Sequence, residues 1–151
     1  MKKILKFIVL LFPWLLSGII FKVDLDYYNY LNLPSFVLPN KLISIIWIIL
    51  YILITISIYK ISINKNIFKE KDYFYVLITN FLANSLFIYG FFYLKSPFFG
   101  FILTTITLIS SIFLFIETKK LNKKASYYLI PYIVFNVYAF ILSLSIYIMN
   151  F

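Results

Sequence analysis

Trp47 and Tyr51 stand four residues apart in an apolar stretch. On a helix that spacing stacks an indole and a phenol on one face, offering broad apolar surfaces with one hydrogen-bond donor each. Such a face suits the wall of a pocket for a flat, greasy ligand; the competing reading of Trp47, the sixth residue of its stretch, is an aromatic at a membrane interface. Asn80 and Asn84 repeat the spacing farther along. An amide in hydrocarbon is costly unless hydrogen-bonded, so both are expected to face inward, either joining helices or lining a cavity. Phe87, one turn beyond Asn84, favours the cavity for that residue, whereas Asn136 reads as an interhelical bond. Upstream, Tyr27-Tyr28-Asn29-Tyr30-Leu31-Asn32-Leu33-Pro34-Ser35-Phe36-Val37-Leu38-Pro39 reads as a long, wet, aromatic loop able to lie over a bundle mouth as a lid.

This inventory favours recognition over reaction. The chain has no cysteine and no histidine, which removes the usual zinc, haem-axial and nucleophile–base sets. Asp24 and Asp26 read as solvated loop charges. The hydroxyls of Thr104, Thr105, Thr107, Ser110, Ser111, Ser143 and Ser145 read as packing or back-bonded groups. No catalytic residue, metal or cofactor is expected, and the chain does not read as an enzyme.

The elements that hold these side chains are membrane helices. Of 151 residues, 64% are hydrophobic and only 13% charged, against the quarter or so typical of soluble domains. Five stretches are long enough to cross a bilayer, approximately Leu5–Phe21, Leu42–Tyr59, Tyr73–Leu94, Phe98–Ile116 and Tyr127–Met149. The fold class expected is therefore an all-α integral membrane protein. It would form one domain over residues 1–151, a five-transmembrane-helix bundle with a long loop between helices 1 and 2. The competing reading of the first stretch is a cleaved signal peptide, but Ser17-Gly18-Ile19-Ile20 offers no cleavage motif and a retained helix kinked at Pro13 is favoured. Pro131-Tyr132 reads as a kink near the start of the fifth stretch.

Net charge is +9, carried entirely by lysine among the basic residues. Eleven lysines (2, 3, 6, 60, 65, 69, 71, 119, 120, 123 and 124) fall on one side of this topology, and three (22, 41 and 95) on the other. By the positive-inside rule the N-terminus is cytoplasmic, with the first loop and C-terminus outside. Lysines at membrane borders point to anionic headgroups, not nucleic acid. The abundance of Ile, Lys, Asn, Tyr and Phe points to a low-GC bacterium, hence its cell membrane.

At these residues the chain resembles the TspO/MBR family, the tryptophan-rich sensory or translocator proteins. That family's loop, W-Y-x-x-L-x-K-P-x-W-x-P-P leading into V-W-x-x-L-Y, is similar to Tyr27-Tyr28-x-x-Leu31-x-Leu33-Pro34-x-Phe36-x-Leu38-Pro39 followed by Ile46-Trp47-x-x-Leu50-Tyr51. Its helix-three pattern is similar to Asn84-x-x-Phe87-x-x-x-Phe91-Phe92, and its helix-five pattern to Leu129-x-Pro131-Tyr132-x-x-Phe135. The likeness covers nearly the whole chain. Tyr27, Phe36, Phe87 and Phe135 stand where the family prefers tryptophan, leaving Trp14 and Trp47.

The resemblance implies a bundle, often dimeric, with a pocket for tetrapyrroles and, in animal members, sterols. Carried over residue by residue, Trp47, Asn84, Phe87 and Phe135 line the pocket while Tyr27, Pro34 and Phe36 form the lid; helix spacing adds Tyr51, Asn80 and Ala139. The leading expectation is a membrane receptor or sensor for a porphyrin-like ligand, working as a homodimer. The alternative is a carrier of an apolar small molecule such as a tetrapyrrole or sterol-like lipid; ion coupling is disfavoured because the spans lack intramembrane acids. A third reading, photochemical porphyrin breakdown, loses support with the missing indoles.

Overall fold

The computed structural model describes residues 2–151, apart from the side chains of Lys2 and Ser17. Met1 and those two side chains, which enter the readings of a signal peptide and of the lysine-rich side, lie outside the described residues. All regular secondary structure among the described residues is helical: α1 (Lys2–Ile20), α2 (Leu25–Tyr30), α3 (Asn40–Ser62), α4 (Lys71–Ile88), α5 (Pro97–Leu121), α6 (Lys123–Ser126) and α7 (Ile130–Met149). A π-helical turn, Tyr89–Tyr93, continues α4, and 3₁₀ turns at Ile67–Lys69 and Tyr127–Leu129 precede α4 and α7. Among the described residues four helical stretches are long and apolar enough to span a membrane: Asn40–Ser62, Lys71–Tyr93, Pro97–Leu121 and Lys123–Met149.

The distribution of side chains is that of a protein solvated by lipid. Ile45, Ile48, Ile49 and Ile52 on α3, and Ile109, Ile112, Phe113 and Ile116 on α5, are exposed. The interior instead holds Asn80, Asn84, Asn136, Thr104, Thr107, Ser110, Ser111 and Ser143. In hydrocarbon the apolar surface needs no hiding, whereas small and polar groups gain by meeting between helices. The hydroxyls on α5 return their hydrogens to carbonyls a turn earlier, Thr107 to Leu103 at 2.8 Å and Ser110 to Ile106 at 2.6 Å. Thr104 also meets Ser143 of α7 hydroxyl to hydroxyl.

In the bundle α5 lies between α4 and α7, and α1 packs against α3 and α4. At the lysine-rich end α3 is held by α6 and the Tyr127–Leu129 turn, but it meets α7 itself sparingly. The fifth stretch is thus broken at its start, as the Pro131 reading expects: the ring occupies the first turn of α7, where its missing N–H costs nothing.

Two glycines sit where α4 and α5 cross. A Cβ on Gly90 would meet Leu103 Cδ1 at 2.7 Å and Phe99 Cβ at 3.2 Å, and one on Gly100 would overlap the Phe91 ring. Widely separated in sequence, these glycines show no pairing motif, yet each makes room for the other's helix.

The first connection is more ordered than a wet loop. Asp24 caps α2 by accepting from the Tyr27 N–H at 2.9 Å and pairs with Lys95 at 3.2 Å, so its carboxylate anchors this segment instead of standing free in solvent. Tyr28 and Pro34 are buried. Asn150 accepts from the Asn32 N–H at 2.8 Å and donates to the Asn32 carbonyl at 3.0 Å, fastening the loop to the end of α7.

Candidate functional site

The site is built around Tyr132, on the first full turn of α7 and wholly buried. Its hydroxyl donates to Asn80 Oδ1 at 2.9 Å and accepts from Asn84 Nδ2 at 3.4 Å. Asn84 Oδ1 in turn accepts from the Tyr51 hydroxyl at 2.8 Å. Asn80 Nδ2 donates to the Thr107 carbonyl at 3.0 Å and to Ser110 Oγ at 2.9 Å. One continuous chain of hydrogen bonds therefore ties α3, α4, α5 and α7. The four-residue spacing of Asn80 and Asn84 allows it, since both amides project from the same face of α4 on successive turns.

Aromatic rings flank this chain. Trp47 meets Tyr51 at 5.6 Å, Phe135 edge-on at 5.4 Å and Tyr132 at 6.2 Å between ring centres. Trp14 approaches Tyr51 from α1 at 5.8 Å and Phe81 edge-on at 5.3 Å, and is only 3% exposed. Trp14, the residue after Pro13, is part of the core and does not face lipid. Pro13 does not eject it, because α3 and α4 receive the ring.

Five of the expected positions, Trp47, Tyr51, Asn80, Asn84 and Phe135, thus converge. Phe87 belongs to a second cluster nearer the first loop, stacked on Phe91 at 5.4 Å with Tyr27 meeting Phe91 at 5.8 Å. Tyr28, Leu31, Leu33 and Val37 complete that cluster with Leu142 and Ile146 of α7. The π-helical turn presents Phe91 and Phe92 to the loop, its wider winding marked by the bond from Leu94 N–H to the Tyr89 carbonyl at 3.0 Å. Pro34 is buried beneath the loop, and Phe36 lies exposed against Tyr138 at 6.5 Å. Ala139 is half-buried on α7. Tyr138 accepts from the Leu38 N–H at 3.0 Å, so α7 holds both the polar chain and the loop.

Beside the polar chain a groove of about 550 Å³ opens between α3 and α7, lined by Ile46, Ile49, Leu50, Leu53, Ile130, Val134, Phe135 and Tyr138 among others. Phe135 is shared by groove and cluster. Four buried polar atoms have no hydrogen-bond partner among the described residues: the Tyr27 hydroxyl in the loop-side cluster, Ser57 Oγ, Thr118 Oγ1 and Asn136 Nδ2. Asn136 lies one turn beyond Tyr132 on α7, so an amide read from sequence as interhelical glue keeps a donor to spare.

The model of the TspO/MBR family matches residues 6–149 of this chain. The chain belongs to the TspO/MBR family. It is similar to the tryptophan-rich protein TspO of Bacillus cereus, 31% identical over 134 residues that cover 89% of this chain and 87% of that protein. It is also 32% identical to the uncharacterized membrane protein YtaB of Bacillus subtilis over 134 residues, 89% of this chain and 86% of the relative. TspO/MBR membership and the apolar helices make it an integral membrane protein and support a sensing or binding role.

In this TspO/MBR chain Tyr132 reads from sequence as part of a proline kink, whereas it centres the polar chain, and Ser110, back-bonded to Ile106 as read, also accepts from Asn80. A signal was present for Tyr132: it stands four residues before Asn136, a phenol and an amide on one face of an apolar helix. The adjacent proline drew it into a reading about kinks. Thr107 takes part through its main-chain carbonyl, which no residue type announces.

Proposed function

We propose that this protein is a membrane receptor or sensor that binds a flat, apolar, porphyrin-like ligand inside a five-helix bundle under its first loop. α1 supplies the fifth span; it is nineteen residues long, and its only charges, Lys2, Lys3 and Lys6, stand at its start. The N-terminus is cytoplasmic, the first loop and C-terminus are outside, and two copies pair in the membrane.

The observation that carries this reading is the hydrogen-bonded chain Tyr51–Asn84–Tyr132–Asn80 set against the Trp47–Phe135 wall. Small-molecule sites are typically apolar and aromatic with a few placed polar groups. The rings would stack on a macrocycle, while the amides, phenols and spare Asn136 donor would meet its polar edge. The α3–α7 groove falls within the 300–1,000 Å³ usual for such sites. With no histidine or cysteine, binding would rest on stacking and shape, not on axial ligation of a metal. The lid would comprise Tyr27, Pro34 and Phe36, tied down through Asn32, Asn150 and Tyr138.

Absorbance titration of the purified protein with protoporphyrin, haem and a sterol tests the proposal. Saturable porphyrin binding, weakened by changes at Trp47 and Asn84, is the expected result; no binding of any of the three would overturn it. One feature favours a carrier as the second reading: the groove beside the site opens sideways between α3 and α7 toward the bilayer. A carrier would exchange a loaded porphyrin between proteoliposomes and acceptor vesicles, whereas a receptor would retain it.

A further inference from the structure

A second groove, of about 720 Å³, lies away from the Tyr132 site, between α1 and α4 at the lysine-rich end. Along the helices its lining is hydrocarbon and ring: Val9, Leu10 and Pro13 of α1 face Leu77, Ile78 and Phe81 of α4. Its polar lining gathers at the end closed by the connection after α3, where Lys6, Ser62, Asn64, Lys65 and Asn66 stand together. Lys6 is oriented there by donating to the Ser62 carbonyl at 2.6 Å. Lys65 pairs with Glu70 at 3.3 Å, but its side chain remains 42% exposed. No acidic side chain lines the groove among the described residues. Phe68, 76% exposed in the 3₁₀ turn beside it, suits the headgroup level of a bilayer.

The geometry points to a site for one anionic phospholipid. The distribution of chemistry along the groove repeats that of the ligand: an apolar trough parallel to the helices for an acyl chain, ending in two ammonium groups and two amides for a phosphate. Neutral apolar molecules would leave Lys6, which has no acidic partner among the described residues, without counter-charge. A free phosphate would leave the trough unfilled. The proposal is independent of the tetrapyrrole reading, since it uses none of the hydrogen-bonded chain or the Trp47–Phe135 wall; the two regions share only the Trp14 and Phe81 rings, which lie between them.

Native mass spectrometry of the full chain, released from detergent containing equal phosphatidylglycerol and phosphatidylcholine, tests it. Preferential retention of one phosphatidylglycerol is expected. Lys6→Gln and Lys65→Gln should each lower that retention about fivefold, the effect of one interfacial lysine. Val9→Trp, on an exposed position of the groove wall, should displace the lipid while leaving a helical, monodisperse protein. The double variant Lys119→Gln/Lys124→Gln keeps the groove intact and removes twice the charge of either single variant from the same end, and should retain the lipid. Equal loss in that control would show a diffuse field of lysines and overturn the site. Equal retention of both lipids, competition by inorganic phosphate alone, or displacement by protoporphyrin would each overturn it as well.

Discussion

At the residue scale, the polar chain can serve binding, architecture or both, and substitutions separate these roles. Trp47→Ala should weaken porphyrin binding five- to 150-fold, corresponding to about 1–3 kcal/mol for a lost stacking partner. Asn84→Ala should cost somewhat less, about 0.5–1.5 kcal/mol for a neutral hydrogen bond. Both are read by absorbance titration on monodisperse protein, and unchanged affinity in both would place the ligand elsewhere. Trp14→Ala belongs to a different class. Its ring is buried against Tyr51 and Phe81, so the expected result is lower thermal stability, by about 3–5 kcal/mol. Tyr132→Phe should also lower the melting temperature in detergent. It deprives Asn80 and Asn84 of a shared partner, a loss of about 1–3 kcal/mol for buried groups left unpaired.

At the scale of elements, the decisive contacts are the α4–α5 crossing and the anchoring of α2. Gly100→Ala should destabilise the protein by about 1–3 kcal/mol, because the Phe91 ring against which it packs is buried and has little room to yield. Gly18→Ala, with nothing within 4 Å of the added methyl, should be close to neutral and is the matched control. Thermal unfolding in one detergent compares the two. The α2 anchor has a pH signature. Asp24 is held below the ordinary carboxylate pKa, first by the Tyr27 N–H and next by Lys95. A depressed folded-state pKa means that its stabilising contribution is present above the ordinary value and lost as pH falls through the lowered one. The melting-temperature gap between wild type and Asp24→Asn should therefore be constant near neutrality and close as pH drops below about 4. A gap that persisted into acid would show that the anchor is not electrostatic.

At the scale of the molecule, topology and assembly are open to direct measurement. Lysines 6, 60, 65, 69, 71, 119, 120, 123 and 124 lie at or near the ends of α1, α3, α4, α5 and α6 that meet at one pole, as the Lys6–Ser62 bond and the Lys60 ammonium over the Tyr128 ring display. A reporter fused after Phe151 should accordingly read as extracytoplasmic, and cytoplasmic activity would overturn the span number or the orientation. Mass measurement in mild detergent should find two copies per particle. Monomers alone would count against pairing.

Much of this architecture is decided by composition and spacing. Unbroken apolar stretches of about 20 residues, too long and too uniformly apolar for barrel strands, satisfy their backbone polar groups in hydrocarbon as helices, so the class follows without any knowledge of packing. The four-residue spacings likewise placed Trp47 with Tyr51 and Asn80 with Asn84 on common faces, since those relations lie within one helix. Contacts between helices depend on rotation and depth, which no local spacing encodes. Trp14 turned inward because α3 and α4 stand beside it. Tyr132 became the centre of the polar chain because α7 enters at the level of two asparagines on another helix. Phe87 joined the loop-side cluster because the π-helical turn brings Phe91 beneath it. Gly90 and Gly100 became partners only when α4 and α5 crossed. Tertiary structure decided these outcomes because each is the meeting of side chains far apart in sequence, fixed by the fit of whole helices.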